Sequence, residues 1–119
     1  MRKDPKVLIE HVLESIELIE EYLRGVSKEE FLRSREKQDA VIRRLEVIGE
    51  AVKHIPAEIK ERHTEIPWRR VAGMRDVLIH AYFSVDLELL WKTATEDVLE
   101  LKKKMQRVKE ELEKRETGS

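Results

Sequence analysis

Apolar residues recur at steps of three and four along most of this 119-residue chain, and this spacing is the strongest constraint on its fold. Such steps place apolar side chains on one face of an α-helix. Near the C-terminus the steps alternate like a coiled-coil seam, formed by Leu87, Trp91, Ala94, Val98, Leu101, Met105, Val108 and Leu112. No alternation of apolar and polar residues typical of strands accompanies it. The sequence therefore predicts an all-α protein.

Local capping signals predict where the early helices begin. Asp4 supplies a side-chain acceptor ahead of Pro5, whose missing N–H costs nothing in a first helical turn. Ser27 opens a capping box for a short helix. Ser34 can cap a second long helix over about residues 35–55. The first helix is expected to end before Ser27, at a glycine that can take positive φ.

Proline and glycine divide the second half of the chain. Pro56 and Pro67 each predict the start of a short helix, and a further helix is expected over about 74–83. Asp86 caps the last and longest helix, of roughly 30 residues. The predicted architecture is an antiparallel four-helix up-and-down bundle with short extra helices and a long C-terminal helix. It forms a single domain over residues 1–119 with a frayed tail at 116–119.

The second long helix is apolar over an arc that is wide for one core. Gly49 in its middle predicts a close approach by another helix, because glycine otherwise weakens a helix. Two interpretations of the wide face stay open. It either packs under the last helix or contributes residues such as Ile48 to a dimer interface. Trp68 and Trp91 are interpreted as core residues.

Composition excludes several classes of protein. The absence of cysteine excludes disulfides, zinc–thiolate sites and a cysteine nucleophile. No apolar run is long enough to span a membrane, and no signal-peptide core follows the N-terminus, so a cytoplasmic protein without a membrane partner is expected. The net charge of −1 gives no bulk attraction to nucleic acid. A chain rich in Lys and Glu and free of Asn is typical of thermophiles.

The histidines show no spacing that suits a helical metal site, and no phosphate-binding loop appears, so neither metal nor cofactor is expected. His11 lies beside the apolar stripe of the first helix and is interpreted as a structural histidine with satisfied polar atoms. His54 and His63 flank prolines and are expected to face solvent. Four arginines either contact RNA phosphates or are solvated or salt-bridged: Arg43, Arg44, Arg69 and Arg70.

Polar residues interrupt the otherwise apolar helix predicted over 74–83. Asp76 and His80 are four apart and share a face, whereas Arg75 lies about 140° from His80 around the axis. Either the long arginine side chain or a cleft between two helices would bring both to one substrate. Arg75 could hold phosphoryl oxygens, His80 could move a proton, and Asp76 could orient its imidazole. An RNA substrate would supply its own 2′-hydroxyl nucleophile. From spacing alone, a surface network of Arg, Asp and His would look the same and is favoured over a catalytic site.

The residues around this set resemble a known family. Residues 73–82 read Gly-Met-Arg-Asp-x-x-x-His-x-Tyr and follow Ile-Pro-Trp-Arg at 66–69. Together with 39–51, which is similar to the family's second helix, they resemble the HepT-like toxins of the HEPN superfamily. The resemblance extends over about residues 5–105. Where most close relatives have Asn after the arginine, this chain has Asp76.

The resemblance implies a four-helix bundle that forms a homodimer, with the Arg-x4-His motifs of both protomers lining one cleft. It implies a metal-independent endoribonuclease that acts as the toxin of a toxin–antitoxin pair. Its partner would be a minimal nucleotidyltransferase that can transfer AMP to the motif tyrosine. Carried over, Arg75, His80 and Asp76 are catalytic and Tyr82 is the AMP acceptor. The alternatives are a non-catalytic helical dimer that binds a nucleotidyltransferase or a nucleotide, and a structural dimer without an active site.

Overall fold

The structure is a computed structural model that describes residues 4–74, 76 and 86–117. All regular elements in these residues are helical, which confirms the predicted all-α class. In chain order they are α1 (Pro5–Leu23), α2 (Lys28–Arg33), α3 (Arg35–Lys53), α4 (Ala57–Arg62), α5 (Trp68–Ala72), α6 (Leu87–Lys92), a π-helix (Thr93–Asp97) and α7 (Val98–Thr117). Most of the helix predicted over 74–83 lies outside the described residues.

The first helix, α1, packs along both α3 and α7. Lys37 near the start of α3 donates its Nζ to the carbonyl oxygen of Tyr22 at the end of α1, at 3.3 Å. Lys6 near the start of α1 donates to Glu116 at the end of α7, at 3.0 Å. Both contacts join the start of one helix to the end of another. The long helices α3 and α7 therefore each run antiparallel to α1.

The core lies between these three helices. The C-terminal seam enters it as predicted, because Val98, Met105 and Val108 are fully buried. Trp91 is half-buried and packs on Phe31, with ring centroids 5.3 Å apart. The other large side chains that are fully buried come mainly from α1 and α3: Leu8, Ile9, Val12, Ile16, Ile19, Val41, Leu45, Ile48, Val52 and Ile66.

The predicted caps are confirmed at four helix starts. Asp4 accepts a hydrogen bond from the amide of Lys6 at 2.9 Å, and Asp86 accepts from the amide of Leu89 at 2.9 Å. Ser27 forms the expected capping box with a glutamate three residues on, and Ser34 caps α3. Such caps satisfy amides that have no partner within the helix. The glycine expected to end the first helix, at position 25, has a φ of 73°.

In the described part of the chain, α3 packs on α1 and α5 and also contacts α2. A β-carbon on Gly49 would lie 3.3 Å from the carbonyl oxygen of Ala72 and 3.4 Å from that of Val71, so the predicted close approach is confirmed. The approaching helix is the short α5 instead of the last helix. Ile48 is fully buried within the chain's own core, so its assignment to a dimer interface is wrong.

The last helix contains an irregularity that the sequence did not predict. Between α6 and α7, residues Thr93–Asp97 form a π-helix. The hydroxyl of Thr95 donates to the carbonyl oxygen of Trp91 at 2.7 Å. A side-chain donor of this kind competes with the backbone amide for a helical carbonyl, which favours local widening. No helix in the described residues is both long and apolar enough to cross a membrane.

Candidate active site

The structure describes one of the predicted site residues, Asp76. Its side chain is exposed, and its backbone amide donates to the carbonyl oxygen of Gly73 at 3.0 Å. Arg75, His80 and Tyr82 lie outside the described residues. The pairing of the arginine with the histidine therefore stays a prediction, as does the role of the tyrosine.

The segment that leads into the motif is firmly attached to the helical core. The side chain of Ile66 is 2% exposed and that of Val71 is 4% exposed. Between them, the indole N–H of Trp68 donates to the carbonyl oxygen of His63 at 2.9 Å. Burial of this apolar surface and the indole hydrogen bond hold a helix of only five residues that would be unstable alone. The N-terminal side of the motif therefore has a defined position against α3.

The chain leaves α5 through a tight turn at Gly73. The amide of Gly73 donates to the carbonyl oxygen of Arg69 at 2.9 Å, and a β-carbon at Gly73 would meet that same oxygen at 3.3 Å. Beyond the turn, Met74 packs partly buried against the core, whereas Asp76 faces solvent. The turn thus directs the apolar Met74 toward the core and the polar Asp76 toward solvent.

Basic side chains lie immediately before the motif. Arg69 and Arg70 of α5 are both exposed. Farther away on α3, Arg43 is 3.7 Å from the carboxylate of Glu46, which offsets its charge. Exposed guanidinium groups suit phosphate recognition because they present several N–H donors in a planar fork. Of the predicted arginines, the α5 pair is therefore the better placed to meet an anionic strand at the motif.

The buried histidine of the described chain is His63, and the prediction that it faces solvent is wrong. Its Nδ1 lies 3.4 Å from Glu65, and its Nε2 lies 2.5 Å from Glu111 without hydrogen-bond geometry. Arg62 donates to the other oxygen of Glu111 at 3.0 Å. A hydrogen bond from its own backbone amide, reinforced by His63, holds the pKa of the Glu65 carboxyl below its ordinary value. This network fastens the loop before α5 to the last helix.

The other two described histidines lie on the surface. His54 is exposed as predicted, with its Nε2 3.3 Å from the carboxylate of Glu50. His11 is also exposed, so its interpretation as a histidine at the edge of the core is wrong. In the described ranges, no group of three or more His, Asp or Glu side chains is arranged to hold a metal ion.

Comparison with known proteins identifies the family. The family model described as ribonuclease HepT-like matches residues 12–108. A protein of Thermococcus cleftensis named as a probable ribonuclease HepT is 51% identical over 109 residues, covering 92% of this chain and 99% of that protein. A longer protein of Methanocaldococcus jannaschii, whose name combines gamma-glutamylcyclotransferase and RNase, is 50% identical over 114 residues.

The match to the longer protein covers 96% of this chain and 51% of the relative, so the chain spans about half of its length. No solved structure matches the chain. The family model and the Thermococcus relative each extend across most of the sequence, including the segment that carries the Arg-x4-His motif. The chain therefore belongs to the HepT-like ribonuclease family, which confirms both the predicted resemblance and the predicted enzyme class.

Proposed function

We propose that this chain is a metal-independent endoribonuclease that cleaves RNA with Arg75 and His80. We also propose that it is the toxin of a toxin–antitoxin pair, neutralised by a minimal nucleotidyltransferase. The observation that carries the proposal is the family match over residues 12–108, which includes the complete motif. The local structure supports it, because a fixed helix with two exposed arginines leads directly into that motif.

The chemistry needs only groups that the motif and RNA supply. His80 accepts the proton of a ribose 2′-hydroxyl, whose oxygen attacks the adjacent phosphorus. The bond from phosphorus to the 5′ oxygen breaks, and the imidazolium returns the proton to that leaving oxygen. Arg75 stabilises the charge that builds on the phosphoryl oxygens. Asp76, exposed and four residues before His80, orients the imidazole.

A homodimer completes this site in our proposal. Arg75 and His80 lie about 140° apart around an ideal helix, too far for one helix to present both to a single phosphate. Pairing the motifs of two protomers across a two-fold axis places an arginine and a histidine on opposite walls of one cleft. Residues 74–83 then supply the fourth helix of the bundle. Light scattering at micromolar concentration should give the mass of two chains.

The decisive experiment is RNA cleavage by the purified chain in EDTA. Wild-type protein should cut a single-stranded RNA, and His80→Ala and Arg75→Ala should each lose about 10²–10⁴-fold in rate. His54→Ala is the matched control, since His54 is exposed and lies at the C-terminal end of α3, outside the motif. Undiminished cleavage by His80→Ala would remove the proposed mechanism. Absence of cleavage by the wild type, together with binding to a nucleotidyltransferase, would favour the non-catalytic helical dimer.

A further inference from the structure

We infer that a cavity beside the motif is a pocket for one RNA base and that it prefers bases carrying an amino group over uracil. The inference rests on the proposed ribonuclease function and adds a substrate preference to it. The cavity has a volume of about 330 Å³ and lies between α5, the π-helix and the start of α7. That volume is at the lower end of the range for small-molecule sites, about 300–1,000 Å³, and suits a single nucleoside.

The position of the cavity links it to the reaction. Met74 forms part of its wall and is the residue immediately before Arg75. Consecutive Cα atoms are separated by about 3.8 Å, so the cavity lies beside the residue to which the catalytic arginine is joined. A base held there belongs to a nucleotide next to the phosphate that Arg75 contacts.

The walls of the cavity match the faces of a base. Val71 and Leu101 are both buried, at 4% and 5% exposure, and Val98 is fully buried. These buried side chains back the cavity, and Leu89, which is 38% exposed, and the partly buried Met74 provide accessible apolar surface on which a planar ring can lie. Small-molecule sites combine such walls with a few polar groups that set orientation. Here the polar groups include Thr93, Asp97 and Arg70.

The group that gives the preference is Asp97. It lines the cavity with an exposed side chain and forms no ion pair with any other described residue. An ionised carboxylate only accepts hydrogen bonds. Adenine, cytosine and guanine offer an exocyclic amino group on the edge that proteins read in single strands, whereas uracil offers there a single ring N–H between two carbonyl oxygens. Asp97 therefore attracts the first three bases and repels the oxygens of uracil.

Cations at the rim balance this carboxylate. Arg70 is exposed at the cavity and has no carboxylate partner in the described ranges. Lys104 also lines it, with its Nζ donating to the carbonyl oxygen of Glu65 at 3.1 Å. A free guanidinium can bind the phosphate attached to the nucleoside. Two carboxylates line the cavity, but that of Glu100 lies 3.9 Å from the Nζ of Lys104. The cavity thus offers apolar walls, the unpaired carboxylate of Asp97 and one available cation.

The π-helix places two polar residues on this cavity. Thr93 and Asp97 are its first and last residues, and both line the cavity. Single π turns occur often at functional sites, where they re-aim side chains that a regular α-helix would direct elsewhere. The irregularity that the sequence did not predict is therefore located where the inferred ligand binds.

Binding of the four nucleoside 5′-monophosphates tests the inference without catalysis. In titrations followed by two-dimensional amide NMR, AMP, CMP and GMP should shift the amides of Thr93 and Asp97 and bind about tenfold more tightly than UMP. Asp97→Ala should reduce that ratio to near one. Glu96→Ala is the matched control, because Glu96 is exposed in the same π-helix but does not line the cavity. It should keep the preference.

Cleavage of an RNA of randomised sequence, with the cut ends sequenced, separates this inference from the proposed function. Depletion of uracil at one position beside the cut in wild type, lost in Asp97→Ala, supports the pocket. RNA cut with no base preference and no shift at Thr93 overturns the pocket and leaves the ribonuclease intact. Selective nucleotide binding without any RNA cleavage overturns the ribonuclease proposal and leaves the pocket intact.

Discussion

The carbonyl oxygen of Ala72 lies 3.3 Å from the point that a β-carbon on Gly49 would occupy. The neighbouring oxygen of Val71 is almost as close, at 3.4 Å. Both are backbone atoms, so no change of side-chain rotamer can make room. Since α5 ends at Ala72 and Arg75 follows three residues later, this contact sets the distance between α3 and the start of the candidate active site.

We expect Gly49→Ala to destabilise the protein and reduce its activity. Alanine favours the helix by about 1 kcal/mol, but overpacking against backbone costs about 1–3 kcal/mol. The free energy of unfolding should therefore fall by up to about 2 kcal/mol in urea titrations. The remaining folded protein should cleave RNA more slowly, because α5 must move to admit the methyl group.

Gly25→Ala is the control for that experiment. Gly25 has a φ of 73°, and no atom lies within 4 Å of its β-carbon position. Left-handed backbone costs a non-glycine residue about 1–2 kcal/mol. This variant should lose similar stability but keep its cleavage rate per folded molecule. Equal loss of cleavage in both variants would show that the approach at Gly49 does not position the motif.

We expect Glu111→Ala to loosen the loop before α5. The Glu111 carboxylate contacts Arg62 at 3.0 Å and Arg115 at 3.5 Å, and it lies beside the buried ring of His63. Removing it takes the carboxylate away from Arg62, Arg115 and the buried imidazole together, which costs about 1–3 kcal/mol. Thermal unfolding should show the loss, whereas Glu110→Ala, one residue away and exposed, should be near neutral. An unchanged melting temperature for Glu111→Ala would contradict the network.

Stability should decline at acidic pH partly through Glu30. Its carboxylate accepts from the backbone amide of Ser27 at 3.2 Å, and this hydrogen bond lowers the pKa of Glu30. A lowered folded-state pKa stabilises the fold above the unfolded-state value, about 4.3, and that contribution disappears as pH falls through the folded-state value. Glu30→Gln should flatten unfolding free energy against pH below about pH 4.5. Glu29→Gln, outside the capping box, should retain the wild-type slope.

Tyr82 should carry AMP after co-expression with the cognate nucleotidyltransferase and ATP. In this transfer the phenolic oxygen attacks the α-phosphorus of ATP and pyrophosphate leaves. Tyr82 is seven residues after Arg75, nearly above it on a helix, so the added phosphate would occupy the position meant for RNA. Intact mass should show the adduct in wild type and in Tyr22→Phe but not in Tyr82→Phe. An adduct that persists in Tyr82→Phe would exclude this residue as the acceptor.

The parts of the fold that the sequence predicted depend on short-range interactions. Asp4, Ser27, Ser34 and Asp86 each cap a helix through an amide two or three residues away, so their neighbours suffice to identify them. The close approach at Gly49 was predictable because glycine in a helix needs a compensating contact. The sequence did not show that α5 makes that contact, because α5 is too short to have a distinct periodicity.

The errors concern interactions between distant residues. The burial of His63 depends on Glu111, which is 48 positions later in the chain and on another helix. The π-helix depends on the balance between the Thr95 hydroxyl and a backbone amide, which the apolar seam does not reveal. For the site, the family pattern predicts Arg75 and His80, and the described structure explains how the segment before them is held against α3.

The bond between Lys6 and Glu116 has a topological consequence. Its two atoms are 3.0 Å apart although the residues are separated by 110 positions. The start of α1 and the end of α7 therefore lie next to each other, and the chain between them forms a nearly closed ring. A short flexible linker between these ends would close the ring at little entropic cost. The chain could then be opened at the exposed Gly25 turn, giving a circular permutant in which α1 follows α7 and every helix keeps its neighbours. The order of the helices along the chain could therefore be changed without changing their arrangement in space.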